Sequence, residues 1–149
     1  MTTTNQQPKT FEEFTMEFDK DSFSPLLSRC SQENGWDEEY ASLVLDEYVK
    51  FLYLARGKVP LVPSKPVDEL WHQHILTTKK YQVDCERYVG RFVHHKPSFT
   101  ADDRALLPPL FDKMKVAYES TFGKMPDKVW LKKGDKCTQR CDDDCGCAD

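Results

Sequence analysis

The chain has 149 residues, 39% of them hydrophobic and 31% charged, with 9 Phe, 6 Tyr and 3 Trp. That length suits one domain around one core, and that mixture excludes disorder throughout. A formal net charge of −4 supplies no polycationic field, so neither nucleic acid nor an anionic membrane surface is an expected partner.

The elements predicted along the chain are helical. Phe11, Phe14 and Phe18 recur at helical spacing and predict a first helix over Thr10–Asp19. Ser24-Pro25 reads as an N-cap followed by proline at the first helical position, with Leu26, Leu27 and Cys30 behind it and Gly35 as the stop. Asp37 caps the clearest helix, Glu38 to about Arg56. Its stripe is Tyr40, Ala41, Val44, Leu45, Tyr48, Phe51 and Leu52, and Gly57 ends it. Pro60, Pro63 and Pro66 stiffen the connection that follows.

A helix restarts near Val67 and carries Asp68, Leu70, Trp71, His72, Ile75 and Leu76. Thr77 or Thr78 caps a continuation through Tyr81 and Cys85 to Gly90, either as one bent helix or as two. The segment 91–97 reads as a loop. Pro108-Pro109 opens a last long helix to about Phe122, and Trp130 and Leu131 pin a short final segment. No strand pattern of convincing length appears, because prolines interrupt the one candidate at 59–63. The expected fold is all-α: a compact single-domain bundle of about five to seven helices. It spans 10–131, between a flexible tail at 1–9 and a Cys/Asp-rich tail at 132–149.

No apolar run approaches the roughly 20 residues that span a bilayer. Segment 1–10 is polar and holds no signal-peptide core, so a cytoplasmic location is expected. The six cysteines suit that compartment, since four of them crowd the last thirteen residues rather than spreading through a secreted core. Cys30 and Cys85 read as buried reduced thiols, with a ligand or nucleophile role for Cys85 as the alternative.

All four histidines lie between residues 72 and 95. A helix turns about 100° per residue, so Asp68 and His72 share a face while His74 points away. The spacing therefore favours an Asp68/His72 pair completed by His94 or His95 from the loop. One carboxylate and two imidazoles suit zinc, or iron with open positions. Alternatively, Asp68 holds the second ring nitrogen of a metal-bound histidine. In a plain structural reading, Asp68 answers the helix dipole, or locks His72 against the 91–97 loop. Glu69 sits about 100° round the helix and makes a poor general base. No GxSxG elbow, Walker A loop or GxGxxG turn is present. Trp71 reads as a core anchor, and Tyr81 as a packed ring whose hydroxyl bonds a neighbour.

A longer pattern runs through these residues. Gly35-Trp36, the stretch from Tyr48 to Leu54, Val62-Pro63-Ser64, Val67-Asp68, Trp71-His72, His74-Ile75-Leu76, Thr78, Tyr81, Asp84-Cys85, Gly90 and His95-Lys96-Pro97 resemble the glycine-rich domain-containing protein-like family over about residues 25–122. That family is largely of unknown molecular function. Its plant members carry a longer glycine-rich region, which this sequence lacks, and are linked to growth and stress responses. The resemblance singles out Asp68, Trp71, His72, His74 and His95, with Cys85 behind them, and prefers His95 over His94 through the H-x-P element. It implies a metal or active site without supplying a reaction.

The tail is a separate feature. Cys137, Cys141, Cys145 and Cys147, interleaved with Asp142, Asp143 and Asp144, could wrap one soft ion as a thiolate site. Otherwise they form a mobile tail or local disulfides. The leading expectation is a domain that binds a divalent transition metal, zinc first and iron second, through Asp68, His72 and His95. One alternative is a metal-dependent hydrolase or oxygenase. The other is a non-catalytic interaction or regulatory module with a protein partner, in which the His motif is structural. A monomer or weak homo-oligomer is expected.

Overall fold

The computed structural model describes residues 9–130. Among them every regular element is helical, and no helix is long and apolar enough to cross a membrane. Helix α1 (Phe11–Glu17) starts at a capping box in which Thr10 and Glu13 exchange side-chain and backbone bonds. Its Phe14 ring is buried beside Phe18, which stacks on Tyr88 at 4.4 Å between centroids.

Helix α2 (Ser24–Asn34) departs from expectation at its start. Ser24 is its first residue rather than its cap, and Asp19 instead caps a 3-10 turn over Lys20–Phe23 that runs straight into it. Gly35 ends α2 at φ +70°, a left-handed conformation that costs glycine nothing.

Helix α3 (Glu38–Leu54) is the centre of the bundle. The Asp37 carboxylate accepts the Tyr40 amide at 2.8 Å to start it. Val44, Tyr48 and Phe51 are fully buried, and the helix packs on α1, α2 and α4 (Lys65–Leu76). Burying each such side chain stabilises the fold by about 1.5–3 kcal/mol.

Helix α4 begins two residues before the predicted restart, with Ser64 as its cap and Pro66 in its first turn, where a missing N–H costs nothing. Thr77 leaves helical geometry (φ −90°, ψ 70°) and separates α4 from α5 (Thr78–Asp84), so the two are distinct helices. Helix α5 widens into a π-helical turn at Cys85–Val89, which Gly90 closes at φ +91°.

The chain then runs without regular structure to Thr100. A short helix α6 (Ala101–Ala105), absent from the sequence reading, is held by a Thr100/Asp103 capping box and buries none of its residues. With nothing buried, it leaves no apolar period to detect. Helix α7 (Leu107–Phe122) starts one residue before the proline pair, and α8 (Asp127–Trp130) seats Val129 and Trp130 in the core. Leu131, residues 1–8 of the expected 1–9 tail and the expected tail at 132–149 lie outside the described residues.

Candidate metal centre

Asp68 and His72 occupy successive turns of α4, as the helical period requires. The loop after Gly90 brings His95 to them. Two contacts tie the chain on either side of Gly90 to the residues just after α3: Arg91 donates to the Ala55 carbonyl at 2.8 Å, and Arg56 donates to the Tyr88 carbonyl, in the π-helical turn, at 2.8 Å. Val93 is buried next, its carbonyl accepting from the Tyr81 hydroxyl and its amide facing Cys85 Sγ at 3.5 Å.

His95 Nε2 then lies 2.7 Å from Asp68 Oδ1 and 3.2 Å from His72 Nε2, and His72 Nε2 lies 3.5 Å from Asp68 Oδ2. One ligand atom from each residue falls within 4.8 Å of the others. Side-chain exposure is 52% for His72, 31% for Asp68 and 18% for His95, so the cluster is open on the His72 side and walled on the His95 side. The wall is Trp71, whose buried ring lies against the His95 imidazole with centroids 4.2 Å apart.

The other histidines are elsewhere. His94 packs its ring against Phe92 at 4.9 Å. His74, a candidate ligand in the sequence reading, is 1% exposed and has both ring nitrogens engaged inside the core. Its Nδ1 faces the Tyr48 hydroxyl at 2.7 Å, and its Nε2 faces Asp84 Oδ2 at 2.8 Å. Lys80 completes this network at 3.1 Å from the same carboxylate oxygen. Burial lowers the His74 pKa more than Asp84 raises it. For Asp84, burial pushes the other way, but the bonds from His74 and Lys80 outweigh it and hold the carboxyl below its ordinary range.

Cys85, the second candidate outside the preferred three, also stands apart from the cluster. Its thiol is buried against Val93, and its pKa is raised, chiefly by burial. Cys30 is likewise a buried free thiol. The tail candidates Cys137, Cys141, Cys145 and Cys147 lie outside the described residues. Trp71 and Tyr81 are both buried, as anticipated, and Trp71 Nε1 donates to the Tyr81 hydroxyl at 3.0 Å.

Sequence reasoning missed a second buried charge. Glu47 is 1% exposed. Its Oε1 accepts from the Tyr118 hydroxyl at 2.6 Å and from Trp130 Nε1 at 2.8 Å, while Lys50 reaches Oε2 at 3.0 Å. A signal was present: Glu47 lies three residues after Val44 and four before Phe51, inside the apolar stripe of α3.

A family model described as UCP032817-like matches residues 7–105, more than half of the chain. The chain belongs to the UCP032817-like family. The match takes in α1 to α6 and all three residues of the Asp68/His72/His95 cluster. Glycine-rich domain-containing protein 2 of Arabidopsis thaliana is 27% identical over 110 residues, which are 68% of this chain and 14% of that protein. The chain therefore spans about one seventh of that relative's length. Both findings agree with the glycine-rich domain-containing protein-like resemblance. No solved structure matches.

Proposed function

We propose that this UCP032817-like domain binds one divalent transition-metal ion, zinc, through a carboxylate oxygen of Asp68, Nε2 of His72 and Nε2 of His95. The close approach of the three donor groups supports the reading, with one donor atom from each within 4.8 Å of the others. A tetrahedral zinc ion with bonds of about 2.0–2.1 Å sets its donors about 3.3 Å apart. Here His95 Nε2 lies 2.7 Å from Asp68 Oδ1, His72 Nε2 lies 3.5 Å from Asp68 Oδ2, and the two nitrogens are 3.2 Å apart, so each imidazole faces its own carboxylate oxygen at a spacing on that scale. Proton bookkeeping favours an ion as well. Each Nε2 carries at most one hydrogen and an ionised carboxylate carries none. When both rings aim their Nε2 hydrogens at Asp68, nothing bridges the two nitrogens; a hydrogen spent between the nitrogens leaves a lone pair facing the carboxylate. A cation at the centre takes all three lone pairs at once.

The experiment is metal analysis of the purified full chain. The four tail cysteines are changed to Ser, so that thiolates at 137–147 do not contribute. About one zinc per chain is expected after dialysis against zinc, and its loss in His72→Ala. Full retention in His72→Ala rejects the site.

The exposure of His72 favours a second reading, metal-assisted hydrolysis or oxidation. An ion held by two imidazoles and one carboxylate on an open edge keeps positions for water and substrate. The visible spectrum of the cobalt-loaded protein should then change when azide is added. A spectrum indifferent to azide confines the ion to a closed, structural role.

A further inference from the structure

We infer that Tyr81 and Trp71 are positioning residues for His95, setting its imidazole for the metal proposed above; the inference rests on that reading. Asp68 and His72 come from one helix and need no help to share a face. His95 comes from a loop without regular structure, and its placement needs a separate cause.

Two contacts supply that cause, and both pass through Tyr81. Its hydroxyl donates to the carbonyl of Val93, two residues before His95, and fixes where the loop crosses α5. The same oxygen accepts the Trp71 indole N–H at 3.0 Å, fixing the plane of a ring that lies 4.2 Å from the His95 imidazole at a 30° tilt. One buried hydroxyl thus sets both the backbone that leads to His95 and the surface its ring rests on. Cys85 braces the arrangement from the other side of Val93, through the amide facing its sulfur at 3.5 Å. Tyr48 offers an internal comparison. It is equally buried and spends its hydroxyl on His74, away from the cluster.

The test compares Tyr81→Phe with Tyr48→Phe, each in the full chain with the tail cysteines changed to Ser. Zinc affinity and the ring-proton resonances of His95 in the chelator-treated protein are measured for both. Groups that orient metal ligands typically change affinity by about 10–100-fold. Tyr81→Phe is expected to lose zinc affinity in that range and to move the His95 resonances away from their Trp71-shielded position. Tyr48→Phe is expected to change neither, even where both variants unfold at lower temperature. Equal affinity in Tyr81→Phe and the parent overturns the inference, as does an equal loss in Tyr48→Phe. If the parent binds no zinc, the metal reading falls, and an unmoved His95 resonance in Tyr81→Phe overturns the placement by itself. Should Tyr81→Phe fail to fold, Trp71→Phe takes its place. It lacks the indole N–H, and the same loss of affinity is expected.

Discussion

The Asp68 carboxylate and the His95 imidazole meet at 2.7 Å across 27 residues of chain. The contact joins a helix residue to a loop residue, and it is part-exposed on the Asp68 side. A part-exposed pair of this kind contributes little to folding, about 0–1 kcal/mol. In the proposed site, by contrast, Asp68 supplies the only carboxylate among the three donor groups. Asp68→Asn should therefore weaken zinc binding by more than about tenfold. It should shift the metal-free unfolding free energy by under about 1 kcal/mol. Calorimetric titration and urea unfolding in chelator measure the two numbers. A large stability loss with unchanged affinity would make the pair a structural lock.

Glu47 should behave in the opposite way. Its carboxylate ties α3 to α7 and α8 through Tyr118 and Trp130. Glu47→Ala strands two buried donors and the Lys50 ammonium, a class of change that costs about 3–5 kcal/mol. Urea unfolding should show that loss while zinc affinity per folded molecule holds. A loss below about 1 kcal/mol would mean that water replaces the carboxylate at little cost.

Acid should attack the His74 network in two steps. The folded pKa of His74 is depressed below 6.5, so the unfolded chain binds the proton more readily. The network's stability is complete above pH 6.5 and declines as pH falls from there toward the folded value. The Asp84 carboxyl is depressed below 3.8, and its share is lost as pH falls from 3.8 through its folded value. Thermal melts in chelator from pH 8 to 3 should fall on both intervals. A flat midpoint between pH 7 and 5 contradicts a buried neutral His74.

Burial also predicts which cysteines resist chemistry. The Cys30 thiol is pushed up to about 12 by burial and by Glu69 and Glu33, and the Cys85 thiol is raised chiefly by burial. Iodoacetamide at pH 8 should leave both unmodified in the native chain and label both in urea, as read by peptide mass spectrometry. Native labelling of Cys85 would show that the Val93 brace opens.

Much of this arrangement is legible in the sequence, for identifiable reasons. The period of α4 places Asp68 with His72 and sends His74 away, and both hold in the folded chain. Spacing alone leaves His94 and His95 equal, since a loop has no period; the H-x-P resemblance chose His95, which is the one that reaches Asp68. Residue type makes Cys85 and His74 candidates but says nothing about their partners. Those partners, Val93, Tyr48 and Asp84, come from other turns and other elements. Asp19 displaced Ser24 as a cap because the 3-10 turn continues into α2 without a break. Glu47 is hard to place because a charged residue on a helix is usually solvent-facing, yet its register with Val44 and Phe51 points inward.

The central claim is that Asp68, His72 and His95 hold one ion. Anomalous diffraction at the zinc edge, from crystals of the zinc-loaded full chain, tests it most directly. A single peak is predicted among these three side chains, about 2.0–2.1 Å from one oxygen and two nitrogens. Zinc-loaded crystals in which those three side chains carry no peak, with His95 still bonded to Asp68, would contradict it.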